Sequence, residues 1–238
     1  MDEPEPTIEE VAPVAAVPWG GRDLVIAFLV ALGLSVLGFV AFAAVAEGAS
    51  DLVFFGIAGG VIYLCVSFSF WWFVVRKSDA TWDQVGFREI EPVLVVKLLG
   101  WTLVTLFLSG AASALVEVIT GRAPSSAAPL FPEAPTTEEL LITTVLACLI
   151  APLVEEFIFR GLLLGSLRKR FKVGTAVAVS AALFALFHFI PIQLAPLFVF
   201  GVMFGFVRVR YDNVWASVLL HAMVNGIAIW VSFALLTG

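Results

Sequence analysis

Two adjacent carboxylates, a guanidinium, two imidazoles and a carboxamide carry the chemistry this sequence offers. They are Glu155, Glu156, Arg160, His188, His221 and Asn225, and each falls inside a long apolar run. Ionisable groups in such runs cost roughly 2.5–3.5 kcal/mol each on insertion scales, so their default reading is functional. Glu156 and Arg160 are four residues apart and face one another on a helix, a good ion-pair spacing. Glu155 is turned about 100° from its neighbour around the helix axis, so Arg160 cannot easily serve both. The spacing predicts one carboxylate neutralised in place and one left free, the latter suited to act as a general base. A salt bridge that only fixes helix packing is the competing reading, and it has more force for Glu156 with Arg160 than for Glu155.

The chain has two histidines, and both lie in apolar segments. His188 ends the run Phe184-Ala-Leu-Phe-His188, and His221 opens the run His221-Ala-Met-Val-Asn225, which places His221 and Asn225 on one helix face. A lone histidine in such a segment is often a packing residue. Two of them, with none elsewhere and with a free Glu and an Asn in similar segments, point to a shared site.

The elements that must bring these residues together follow from composition. The chain has 238 residues, 61% hydrophobic and 13% charged, with a mean hydropathy of +1.05. Soluble domains have about 45–50% apolar and about 25% charged residues. So little charge cannot cover a soluble core of that size, which leaves an integral membrane protein. Apolar segments fall at Leu24–Ala46, Leu52–Val75, Val93–Val116, Leu140–Leu164, Val173–Phe189, Leu194–Val207 and Val214–Leu236. A crossing needs about 20 residues, with about 17–25 the usual range. Six qualify, and Leu194–Val207 is short unless its helix begins near Pro191. The expected fold is all-α, a polytopic transmembrane helix bundle of about seven spans, or eight if two have been merged. No basic patch offers a nucleic-acid surface. Cys65 and Cys148 lie in apolar runs and form neither a disulfide framework nor a CxxC site.

Charge sorts the connections. The formal net charge is -6, from 13 basic and 19 acidic residues. Residues 1–18 hold five acids and no base, and read as a disordered acidic tail rather than a signal peptide. Residues 19–238 form the transmembrane domain. Arg76, Lys77 and Arg88, then Arg168, Lys169, Arg170 and Lys172, then Arg208 and Arg210 occupy alternate connections, while the intervening ones carry only Arg122. The positive-inside rule then places the N-terminus and the basic loops in the cytoplasm. Trp19, Trp82 and Trp215 sit near segment ends, where interface anchors belong. Lys97 and Glu117, near the ends of the third segment, can snorkel outward.

Glu155-Glu156-Phe-Ile-Phe-Arg160, Phe184-Ala-Leu-Phe-His188 and His221-Ala-Met-Val-Asn225 resemble, in order and in placement on separate helices, the three motifs of the CPBP family. That family groups CAAX prenyl endopeptidases, Abi proteins and bacteriocin-processing relatives. The resemblance covers about residues 140–230, and Thr81–Arg88 is weakly similar to the family's link between early helices. It implies a membrane-embedded endopeptidase acting on a membrane-associated protein or peptide, and the expected location is the plasma membrane of a prokaryote. It further implies that Glu155 and His188 activate a water, that His221 and Asn225 stabilise the oxyanion, and that Glu156 and Arg160 support the site.

Cofactor use stays open at this stage. Glu155, His188 and His221 would make a His₂Glu set with an open water position, as catalytic zinc requires. HExxH is absent and Asn is a poor zinc ligand, so the balance leans slightly to a metal-free mechanism. Two other classes compete with a protease. One is a catalytically idle scaffold or bacteriocin-immunity protein, which missing motif residues would mark; none is missing. The other is a proton-coupled transporter, which commonly shows paired broken helices in two repeated halves; only the Pro191–Pro196 region hints at one.

Overall fold

A computed structural model describes residues 17–45, 51–124 and 135–237. Most of the acidic tail and the middle of the Pro-rich connection after residue 121 lie outside those residues. Among the described residues eight helices follow in order: α1 Gly21–Ala43, α2 Asp51–Phe70, α3 Trp82–Val85, α4 Pro92–Thr120, α5 Thr137–Leu167, α6 Val173–Leu186, α7 Leu194–Tyr211 and α8 Val214–Thr237. Helix α2 runs on through a wide π-helical turn, Trp71–Arg76. Among the described residues there is no strand, so the expected all-helical bundle is what the chain forms.

Among the described residues six stretches are long and apolar enough to cross a bilayer, and a seventh apolar helix, α6, has only 14 residues. The short element is therefore not the one the sequence suggests. Val173–Phe189 was expected to be a full span, yet α6 stops at Leu186 and Phe189 takes a left-handed φ of 55°. Pro191 accounts for the stop: the residue before a proline is driven out of the helical region, and Ile190 is extended at φ -116°. The helix expected to be short gains a 3₁₀ turn at Pro191–Gln193 and continues to Tyr211, giving a 21-residue stretch.

Helix α5 is a single rod assembled from two kinds of turn. Its α-helical parts are interrupted by π-helical turns at Leu146–Ile150 and Phe157–Leu163. Pro152 explains the first: it has no N–H to give to the preceding turn, and the ladder widens there. The second turn carries Arg160, so the acidic pair sits between two widened turns.

Helices α1 and α2 pair, α6 pairs with α7, and α4 and α8 pack on α7. One apolar cluster joins Leu94 and Leu98 of α4, Phe159 of α5, Phe184 of α6, Phe204 and Val207 of α7, and Leu220 and Val224 of α8. The outer faces are also apolar: Leu37 and Phe107 expose 67% and 74% of their surface. Only a bilayer makes such faces the low-energy ones. Gly201 permits the α6–α7 contact, since a Cβ there would stand 2.8 Å from Ala181 Cα.

Trp19 corrects the interface-anchor expectation. It is 1% exposed, and its Nε1 donates to Leu162 O at 3.0 Å. Val17, assigned by composition to the tail, is buried beside it. An apolar body and one N–H suit Trp to a bilayer surface, and equally to a buried niche with a free carbonyl. Trp82 remains 52% exposed, against Phe87 and Phe157. Lys97 and Glu117 are exposed, as expected.

The short helix α3 lies in the connection after α2. Thr81 and Gln84 cap it reciprocally, the Thr81 hydroxyl accepting from Gln84 N–H and Gln84 Oε1 accepting from Thr81 N–H. The end of this connection is fastened to the α7–α8 turn. Asn213 Nδ2 donates to Arg88 O and Glu89 O, and Arg88 and Arg208 both pair with Asp212.

Candidate active site

Helix α5 sets the depth of the acidic pair. At 1.5 Å per residue, Glu155 lies about 27 Å from Thr137 and about 18 Å from Leu167 along the rod. That is well inside an apolar layer about 30 Å thick. The side chain at Glu156 is fully buried, and so is that of Arg160. Burial of this kind is tolerable only when every charge is matched.

The match is specific. Glu156 Oε1 accepts from Arg160 Nη1 at 2.9 Å and from His221 Nδ1 at 3.0 Å. Arg160 Nη2 donates to Gly201 O at 3.0 Å. The guanidinium lies over Phe184, its Cζ 4.5 Å from the ring centroid, with Phe204 at 5.4 Å and Phe159 at 5.8 Å. Three helices thus meet at one ion pair: α5 supplies the pair, α8 the imidazole on Glu156, and α7 the backbone acceptor for Arg160. The Glu156–Arg160 ion pair expected from spacing is present.

His221 is held on two sides. Its ring stacks on Phe204 at 4.5 Å with 23° between planes, and Phe184 approaches edge-on at 6.0 Å. Because a carboxylate oxygen only accepts, Nδ1 is the donor to Glu156, and Nε2 is the nitrogen left for a substrate. His188 follows the same logic from a different position. It lies beyond the end of α6, and its Nδ1 donates to Phe184 O at 2.8 Å, one of the last-turn carbonyls that a helix end leaves unpaired. Its Nε2 is then an acceptor. The Phe184 ring separates the imidazoles, 4.8 Å from His188 by centroid.

Glu155 has a neutral partner. Tyr63 of α2 donates its phenolic O–H to Glu155 Oε1 at 3.0 Å. No cation reaches this carboxylate among the described residues, so the two acids do differ in charge partner. Asn225 stands one turn beyond His221 on α8 and donates through Nδ2 to Ala147 O of α5 at 2.8 Å. The structure therefore bonds Glu156, Arg160 and His221 directly. His188 adjoins them through Phe184, while Glu155 and Asn225 are tied to Tyr63 and Ala147. Sequence reasoning missed Tyr63 and Gly201. Tyr63 had a signal, being one of two tyrosines in the chain and lying in an apolar segment; the Gly201 carbonyl had none.

Among the described residues, no three His, Cys, Asp or Glu side chains are gathered so as to hold a metal ion. Nδ1 of each imidazole and Oε1 of Glu155 are bonded to protein, so Nε2 of His188, Nε2 of His221 and Oε2 of Glu155 are the atoms that would have to hold one.

Residues 137–227 match the family described as type II CAAX prenyl endopeptidase, Rce1-like. This segment is similar to that family. It runs from the start of α5 to two residues past Asn225 and holds all three motifs, in support of the CPBP resemblance and of a CAAX-type membrane protease. No curated protein and no solved structure matches the chain. Tyr63, at the edge of the site, lies outside the Rce1-like segment.

Proposed function

We propose that this multi-pass membrane protein hydrolyses a peptide bond within or near the bilayer, with Glu155 as the general base. The observation that supports the assignment is the division between neighbours: Glu156 Oε1 is taken by Arg160 and His221, whereas Glu155 meets only a neutral phenol. A carboxylate already matched by a guanidinium is a poor proton acceptor, and the unmatched one is the better base.

In this reading a water sits between Glu155 and the acceptor nitrogen of His188. Its proton passes to Glu155, its oxygen attacks the scissile carbonyl, and the carbonyl oxygen takes the negative charge. His221 donates to that oxyanion from Nε2 when its ring carries both protons, with the Glu156 carboxylate as the adjoining counter-charge. Asn225 has a second amide N–H beside the one given to Ala147, and directs it at the same oxygen. Glu155 then returns its proton to the leaving amine. Arg160 fixes Glu156, and through it His221. The N-terminus faces the cytoplasm in this proposal, and the membrane is a prokaryotic plasma membrane.

The test uses purified full-length protein in lipid nanodiscs and an internally quenched, farnesylated peptide ending in a CAAX sequence. Wild type cleaves it, and Glu155→Gln loses at least about 10²-fold, within the ~10²–10⁴ that a general base contributes. Residual activity within about tenfold of wild type removes Glu155 from that role.

A further inference from the structure

Helix α2 presents few polar groups, and most are used on the spot. Ser67 and Ser69 donate to the carbonyls of Tyr63 and Cys65, four residues back on their own helix. Cys65 turns to Leu34 O of α1. Tyr63 alone among these sends its donor to α5, where the phenol meets Glu155 Oε1. That hydroxyl is the single hydrogen-bond partner of Glu155 among the described residues.

We propose that Tyr63 is a positioning residue for Glu155, a role that rests on the general-base reading above. A glutamate side chain has three rotatable bonds, and a base must sit within hydrogen-bond reach of the proton it takes. Arg160 is committed to Glu156 and leaves Glu155 without an ionic anchor. A phenol supplies a neutral one. It is a rigid donor with two torsions and one O–H, and it fixes Oε1 without placing a positive charge beside the base. Oε2 is then the oxygen that faces water. The Rce1-like segment, residues 137–227, thereby depends on a side chain 92 residues away from Glu155 in sequence.

Two measurements test this on full-length protein in nanodiscs. Tyr63→Phe keeps the ring and removes the oxygen. With the farnesylated peptide it should lower kcat about tenfold or more while KM stays within about twofold, because the loss falls on geometry in the transition state and not on substrate binding. A purely structural role would lower melting temperature and leave per-molecule kcat intact.

The second measurement needs no turnover. The chain has two tyrosines, Tyr63 and Tyr211, so 3-fluorotyrosine labelling gives two fluorine resonances, assigned with Tyr211→Phe. Glu155→Gln should move the Tyr63 resonance and leave that of Tyr211, which accepts from Trp101 Nε1. A Tyr63 resonance that does not move, or a Tyr63→Phe enzyme with wild-type kcat, overturns the proposal. Should wild type leave the peptide uncut, the protease reading falls and the catalytic role with it, while the fluorine shift still decides the contact.

Discussion

The side-chain amide of Asn225 lies 2.8 Å from Ala147 O, an acceptor that helix α5 cannot satisfy by itself. In a regular helix the donor would be Ala151 N–H, but in the π turn that group reaches back to Leu146 O. In a π-helical pattern the donor would be residue 152, which is proline and has no N–H. The motif residue Asn225 thus closes a gap in the backbone ladder that Pro152 opens.

A buried acceptor stripped of its partner costs about 1–3 kcal/mol. Asn225→Ala should lose that much stability. The loss should shrink in a Pro152→Ala background, where residue 152 regains an N–H. Denaturation of the four proteins in detergent measures the coupling, and an equal penalty in both backgrounds refutes it.

The buried pair on α5 gives a second test. Glu156→Gln or Arg160→Gln alone leaves an uncompensated charge and should cost about 3–5 kcal/mol. The double variant should recover part of this, because no charge is stranded. Glu155→Gln should melt at or above wild type, since it removes a charge that no cation matches. Melting temperatures below wild type for Glu155→Gln, with Glu156→Gln unaffected, would exchange the roles of the two acids.

Topology is open to direct labelling. In a Cys65→Ala, Cys148→Ala background, a cysteine replacing Arg122 should react with a membrane-impermeant maleimide added to intact cells, and one replacing Arg170 should not. Both positions are exposed, so the difference reports sidedness. Labelling at position 170 alone would invert the orientation.

The helical class, the membrane and the Glu156–Arg160 pair were all legible, because each follows from composition or from a fixed helical spacing. The third partner of Glu156 was not. Nothing in a one-dimensional pattern tells that His221, 65 residues away, brings Nδ1 to the same oxygen that Arg160 holds. Tyr63 escaped for a similar reason: a phenol in an apolar segment is ordinary until its neighbour is known. The helix lengths failed at a single dipeptide. Apolar content continues through Phe187 and Phe189, yet the backbone restriction ahead of Pro191 ends α6. Hydropathy records whether residues favour lipid, and is blind to where the ladder stops.

The buried indole at the start of the chain has a consequence for biosynthesis. Trp19 donates to a carbonyl 143 residues further on, and Lys169 Nζ returns to bond Trp19 O. At about 5–20 residues per second, a ribosome needs roughly 7–30 s to add that stretch. For that interval α1 is already in the bilayer, while the niche for Trp19 does not yet exist. The first helix must therefore wait in the bilayer with its indole unhoused. Its final docking is a late event, set by translation of the segment that also carries Glu155, Glu156 and Arg160.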